Sequence, residues 1–146
     1  MTTTLLRLAP LVLLLTGLSA QVSQVKNTGC PNAAYPSMTA PKINQNTTIT
    51  FPSLPSTHFA FTIMGFSSGN PLIFNRPFTC VDKCGLYPAL PAFFIVQHAP
   101  GTKSWTLKVP NDKTLWQRCF SVQTASADPK VGCINLHGAL SFCIGR

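Results

Sequence analysis

The chain contains no glutamate, and its only acids are Asp82, Asp112 and Asp128. Hydrolysis of a glycosidic bond needs two carboxyl groups flanking it, and three scattered aspartates offer no such pair. Helix formers such as Glu and Lys are scarce or missing, while Thr, Ser, Val, Phe and Pro are plentiful, so helix is disfavoured and strand favoured. Basic runs are missing too. Lys26, Lys42, Lys83, Lys103, Lys108, Lys113 and Lys130 are spread along the chain, so the formal charge of +8 forms no concentrated nucleic-acid surface. Weak attraction to anionic polysaccharide or to a cell surface is compatible with that charge. No amphipathic basic element of the kind a membrane-active toxin uses is present. There is no internal repeat and no low-complexity linker.

Among what is present, the beginning reads as an export signal over residues 1–20. Arg7 precedes the apolar run Leu8 to Leu18, and Gly17-Leu-Ser-Ala20 supplies small residues for cleavage. The run is shorter than the roughly 20 residues of a membrane span, and no later segment could cross a bilayer, so none is expected after cleavage. About 126 residues would then remain, one domain by length and able to bury roughly two-thirds of its unfolded surface. Six cysteines (Cys30, Cys80, Cys84, Cys119, Cys133 and Cys143) follow the signal. An even count in an oxidising compartment reads as a disulfide framework. Zinc is disfavoured, because Cys80 and Cys84 have no second Cys or His pair at ligand spacing. No metal and no cofactor is expected.

Residues 21–45, punctuated by Gly29, Pro31, Pro36 and Pro41, read as an irregular N-terminal arm packed on the domain and tied down by Cys30. Residues 46–146 read as the β-domain. Its first strand is Asn46 to Phe51, where Asn46-Thr47-Thr48 also matches a glycosylation sequon. His58 to Phe66 follows, with Phe59, Phe61 and Ile63 on one face and His58, Ala60, Thr62 and Met64 on the other. Residues 71–79 make a short edge-like strand, and Cys80–Cys84 leads into Gly85 to Pro88. Ala92 to Gln97 is an apolar run suited to a central strand, with His98 exposed in the turn after it. Thr124 to Lys130 reads as a polar loop. The expectation is an all-β, disulfide-braced β-sandwich, immunoglobulin-like or jelly-roll-like, of seven to nine short antiparallel strands.

The chain is organised around Trp105 to Gln123. Trp105, Leu107 and Val109 alternate with Thr106 and Lys108, the pattern of a strand with one buried face. Pro110 ends it, Asn111 or Asp112 can cap a single helical turn carrying Leu115 and Trp116, and a new extended run starts at Arg118. Strand, capped turn and strand form an arch. At the C-terminus, a three-residue loop at 137–139 would pair Leu136 with Leu140 and Ile134 with Phe142. That register sets Cys133 opposite Cys143, within disulfide reach.

Gly65-Phe-Ser-Ser-Gly69 matches the Gly-x-Ser-x-Gly nucleophile elbow formally, with aspartates, His98 and His137 downstream. The elbow needs a helix after the serine, whereas Asn70 and Pro71 follow and lead into another β-like run. Ser67 is therefore read as part of a connecting loop, His58 as a strand-end surface residue, and no catalytic residue is assigned. If the domain binds carbohydrate, the candidate contacts are Trp116, Tyr87 and Tyr35, which would have to form an exposed planar platform. The competing reading packs Trp116 beneath the capped turn.

Several short motifs occur in a familiar order: Gly29-Cys-Pro-Asn32, Ile63-Met-Gly-Phe-Ser67, Cys84-Gly-Leu-Tyr87, Trp105 to Asp112, Phe120-Ser-Val-Gln123 and the ending Ile144-Gly145. Together they resemble a small secreted β-domain found in planctomycete and other environmental bacterial proteins, over residues 29–145. This chain differs in adding Cys80, Cys119, Cys133 and Cys143, and in having Leu136-His-Gly-Ala139 where the family shows Leu-Ser-Asn-Ala. The resemblance implies an extracellular, non-catalytic β-domain. With Cys133–Cys143 assigned to the hairpin, it favours Cys30 with Cys84 and leaves Cys80 for Cys119; the main rival joins Cys119 to Cys133. The functional expectation is a secreted or cell-surface structural or adhesive module, the alternative a carbohydrate-binding module. Its partner would be an anionic or neutral polysaccharide or another surface protein, and not nucleic acid.

Overall fold

The computed structural model describes residues 20–88 and 94–146, with backbone only at 67–69 and 94. The expected export signal, apart from Ala20, lies outside the described residues. The fold is all-β. Its strands are β1 (Gln21–Val25), β2 (Ser37–Met38), β3 (Asn46–Thr50), β4 (Phe59–Gly65), β5 (Ser67–Phe74), β6 (Cys84–Pro88), β7 (Phe94–His98), β8 (Ser104–Lys108), β9 (Cys119–Ala127) and β10 (Ile134–Cys143). The one helical element among the described residues is a 3-10 turn at Lys113–Leu115.

Strand order is β1-β10-β9-β4-β7 in a central sheet, β2-β3-β8 in a second, and β5-β6 in a hairpin, with every strand pairing antiparallel. The central sheet is covered on both faces. On one, Ala60, Met64, Val122, Leu140 and Phe142 pack with Ile49, Phe51 and Val109 from the β2-β3-β8 side. On the other, Ile63, Ala125 and Leu136 pack with Leu86 and Cys84 of β6. Burial on two faces explains why residues 121–126 of β9 are all buried despite their polar composition.

At the centre lies Gln123, wholly buried. Its carboxamide oxygen accepts from the Tyr87 N–H at 2.9 Å, and its nitrogen donates to the carbonyls of Gly85 at 2.8 Å and His137 at 2.7 Å. One side chain thus joins the β5-β6 hairpin to two strands of the central sheet.

Several expectations require correction. The strands number ten among the described residues, because the arm is not irregular throughout: β1 pairs along β10 and β2 along β3. The polar alternation Gln21-Val22-Ser23 suits a half-exposed edge strand. Ala92 to Gln97 was expected at the centre; Ala92 and Phe93 lie outside the described residues, and the rest belongs to β7, an edge that pairs with β4. The apolar run does not report two covered faces here, since Ile95 is exposed, and edge or centre depends on partners distant in sequence. Residues 124–127 continue β9 and form no loop.

The C-terminal hairpin does not form. Residues 134–143 are one strand of ten residues, about 30 Å long at the usual rise, so Cys133 and Cys143 stand at opposite ends. Where a turn was expected there is a bulge: Leu136 faces Ala125 and Ala139 faces Gln123, so two residues oppose one. The bulge reverses the facing of the strand, sending Leu136 to one core cluster and Leu140 and Phe142 to the other. Gly138 is required there, since a Cβ would lie 2.2 Å from the Tyr35 ring. The disulfides are Cys30–Cys84, Cys80–Cys133 and Cys119–Cys143. The first is the pair that the resemblance favoured. Cys80–Cys119, Cys133–Cys143 and the rival Cys119–Cys133 do not occur, because β9 and β10 lie side by side with Cys119 opposite Cys143.

Candidate binding site at the arch

The arch joins two different sheets: β8 belongs to one and β9 to the other. Along β8, Trp105 and Leu107 are half-buried, followed by buried Val109, while Thr106 and Lys108 are exposed, as the alternation requires. Asp112 caps the 3-10 turn, its Oδ1 accepting from the Thr114 N–H and hydroxyl, both at 2.8 Å. Those two bonds stabilise the carboxylate and lower its pKa. The end of the chain holds the arch down. Gln117 N–H donates to the Ile144 carbonyl at 2.9 Å, Ile144 N–H to Arg118 at 3.1 Å, and Cys119–Cys143 closes the foot.

Two hollows flank this clamped turn. One, about 540 Å³, is lined by Ile43, Asn44, Asn111, Lys113, Trp116 and Arg146. The Arg146 guanidinium carbon sits 3.7 Å from the centre of the Trp116 ring, a cation–π contact. The Trp116 indole N–H is buried and has no acceptor among the described residues. Indole nitrogen can only donate, so a buried donor belongs to a residue that lines a hollow with two cationic side chains and no acidic side chain. The other hollow, about 500 Å³, opens between the sheets and is apolar apart from Thr47, Thr114 and Arg118.

The three aromatic candidates are not brought together. Tyr35 lies in a third hollow with its hydroxyl donating to the Val25 carbonyl at 3.1 Å. Tyr87 is on β6, held through its backbone by Gln123. Only Trp116 belongs to the arch, and Arg146 covers a face of its ring, so no shared planar platform exists. Sequence reasoning missed Arg146, Lys113, Asn44 and Asn111. The signal that could have found Arg146 is the Cys119–Cys143 pairing, which sets the chain end beside residues 116–118.

The histidines are placed otherwise than expected. His98 is half-buried at the end of β7, its ring 5.1 Å from Phe51 and 5.5 Å from Trp105, and Nε2 lies 3.0 Å from the Thr62 hydroxyl. It was expected to be exposed in a turn; its strand instead turns it toward the aromatic side chains of the facing sheet. Burial lowers its pKa. His137 is buried, with Nε2 3.2 Å from the Ser126 hydroxyl. Burial pushes its pKa down to about 4. Such a pair resembles a nucleophile and its base, but Ser126 is also buried, so it offers no accessible hydroxyl. Ser67 begins β5, so a strand and not a helix follows it; its side chain lies outside the described residues. Among the described residues no three His, Cys or Asp side chains cluster as a metal site would.

No family model matches the chain, and no curated protein or solved structure matches it either. Three disulfides are compatible with an extracellular protein, and no described helix is long and apolar enough to cross a membrane.

Proposed function

We propose that the chain is a secreted, non-catalytic adhesive surface module that holds acidic polysaccharide in the hollow between Trp116, Arg146 and Lys113. The observation that carries this reading is a buried indole N–H without an acceptor, on a residue that lines a hollow with two cationic side chains and no acidic side chain. A buried donor left unpaired costs about 1–3 kcal/mol, a cost that an oxyanion brought within reach of it would remove. The hollow exceeds the size of a lone inorganic anion, and the carboxamides of Asn44 and Asn111 suit sugar hydroxyls on either side of a uronate or sulfate ester. Without Arg7 of the export signal the formal charge of +8 becomes +7, which adds attraction to a polyanion, and that attraction weakens with salt.

Titration calorimetry of the mature chain tests the reading. Oligogalacturonate is expected to bind, a neutral galactose oligomer of equal length to bind at least tenfold more weakly, and Trp116→Phe and Arg146→Gln each to weaken the acidic ligand. Equal affinity for acidic and neutral oligomers, or unchanged binding in both variants, overturns it.

A further inference from the structure

The apolar hollow on the other side of the arch is a second, separate site, and we infer that it binds a single long hydrocarbon chain ending in a carboxylate. The cleft lies where the two sheets part beside the arch. Its floor is the core itself: Met64, Val109, Phe142 and Ile144 are all buried residues of the main cluster and all line it. A guest there would extend the core. At the rim, Phe66 is 55% exposed, yet its ring stacks 5.8 Å from Phe120, which lies 5.8 Å from Phe142. An aromatic file thus leads from solvent to the buried floor. Met38 and Met64 in the lining adapt to an unbranched chain. The volume of about 500 Å³ falls in the range of ligand clefts, about 300–1,000 Å³.

The polar groups decide what the guest carries. The Thr47 hydroxyl donates to the Thr39 carbonyl at 3.4 Å, and the Thr114 hydroxyl is held by Asp112 at 2.8 Å. Arg118 is the charged group of the lining. Its Nε donates to the Thr114 carbonyl at 3.4 Å, which leaves the two terminal nitrogens as a fork at the mouth. A carboxylate matches that fork with two parallel hydrogen bonds. A sugar would leave its hydroxyls unpaired against apolar walls, and a peptide strand or second copy of the chain would do the same with backbone amides. A hydrocarbon tail with one anionic end leaves no polar group stranded.

Displacement of the fluorescent probe 11-(dansylamino)undecanoate from the mature, disulfide-intact chain tests the assignment. Laurate is expected to displace it, dodecanol to do so at least tenfold more weakly, and butyrate not to compete. Arg118→Gln should bring laurate down to the affinity of dodecanol while leaving dodecanol unchanged. Leu107→Trp, which fills the cleft from β8, should abolish both; if it does not fold, Met38→Trp serves the same purpose. Trp116→Phe should leave laurate unaffected, which separates this site from the polysaccharide hollow. Failure of the probe to bind, equal affinity for laurate and dodecanol, or full binding by a folded, cleft-filled variant overturns the inference. So does a concentration-dependent dimer whose formation excludes the probe.

Discussion

Gln123→Ala removes a side chain that bonds to three backbone groups from two layers. The N–H of Tyr87 and the carbonyls of Gly85 and His137 would each lose a partner at 2.7–2.9 Å, although the Gly85 carbonyl keeps the Gly29 N–H at 2.8 Å. Each orphaned buried group costs about 1–3 kcal/mol. With two such groups and partial relaxation, the loss should be about 2–4 kcal/mol, a large share of the 5–15 kcal/mol typical of a domain. Urea unfolding with the disulfides intact, followed by far-UV circular dichroism, measures it. Gln123→Glu refines the test at nearly constant shape. One carboxylate oxygen can still accept from Tyr87, but the other faces two carbonyl oxygens and can satisfy one of them only when protonated. The folded-state pKa of the new acid is therefore raised. Its protonated form is favoured by folding, so relative to the parent chain the variant should lose stability as pH rises through the ordinary glutamate value of about 4.3. A loss below about 1 kcal/mol for Gln123→Ala, or a Gln123→Glu penalty independent of pH, refutes the role assigned to this side chain.

Further outcomes are expected. Non-reducing peptide mapping should recover Cys30 with Cys84, Cys80 with Cys133 and Cys119 with Cys143; a peptide linking Cys133 to Cys143 would contradict the ten-residue strand. His137 binds a proton less readily folded than unfolded, its pKa being about 4 against 6.5, so its stabilising contribution is complete above 6.5 and is lost as pH falls toward 4. The span is about 3 kcal/mol, and His137→Gln should flatten that part of the stability–pH curve, as thermal melts from pH 7 to 4 would report. Gly138→Ala forces a Cβ into the Tyr35 ring and should cost about 1–3 kcal/mol, with much of the loss recovered in the Tyr35→Leu background; additive losses would place the strain elsewhere.

Much of the architecture was legible because local pattern and covered face agree. The alternation of Trp105, Leu107 and Val109, the stop at Pro110 and the cap at Asp112 all describe the arch as it stands. The C-terminus misled for a physical reason. Ile134, Leu136, Leu140 and Phe142 share one parity, which in a regular ladder means one face, and a hairpin satisfies that pattern economically. The bulge at His137 and Gly138 satisfies it differently, by reversing the strand between two cores, and a bulge is specified by contacts across the sheet. The Ser and Thr residues of β9 looked like a loop because polar composition usually marks solvent. Here Ser121 donates to the carbonyl of Phe66 at 3.1 Å and Gln123 is fully bonded. Of the candidate site, Trp116 alone was legible, since Arg146 and Asn44 reach it through pairings that link distant parts of the chain.

That linkage bears on the binding proposed for the arch. A turn between two sheets is normally among the easier parts of a sandwich to open, because few strand bonds cross it. This one is fixed from three directions: the Asp112 cap within it, the Ile144 backbone against Gln117 and Arg118, and the bond of Asn44 N–H to the Val109 carbonyl at 3.1 Å. Gly145 extends the clamp, donating to Pro41 at 2.9 Å and accepting from Ile43 at 3.0 Å. Trp116, Lys113 and Arg118 therefore project from a backbone whose ordering is already supplied by folding, and a ligand meeting them has less freedom left to remove. The Cys119–Cys143 bond ties the two strands that carry this clamp. Its loss should consequently weaken ligand binding at the arch before it unfolds the Gln123-centred core.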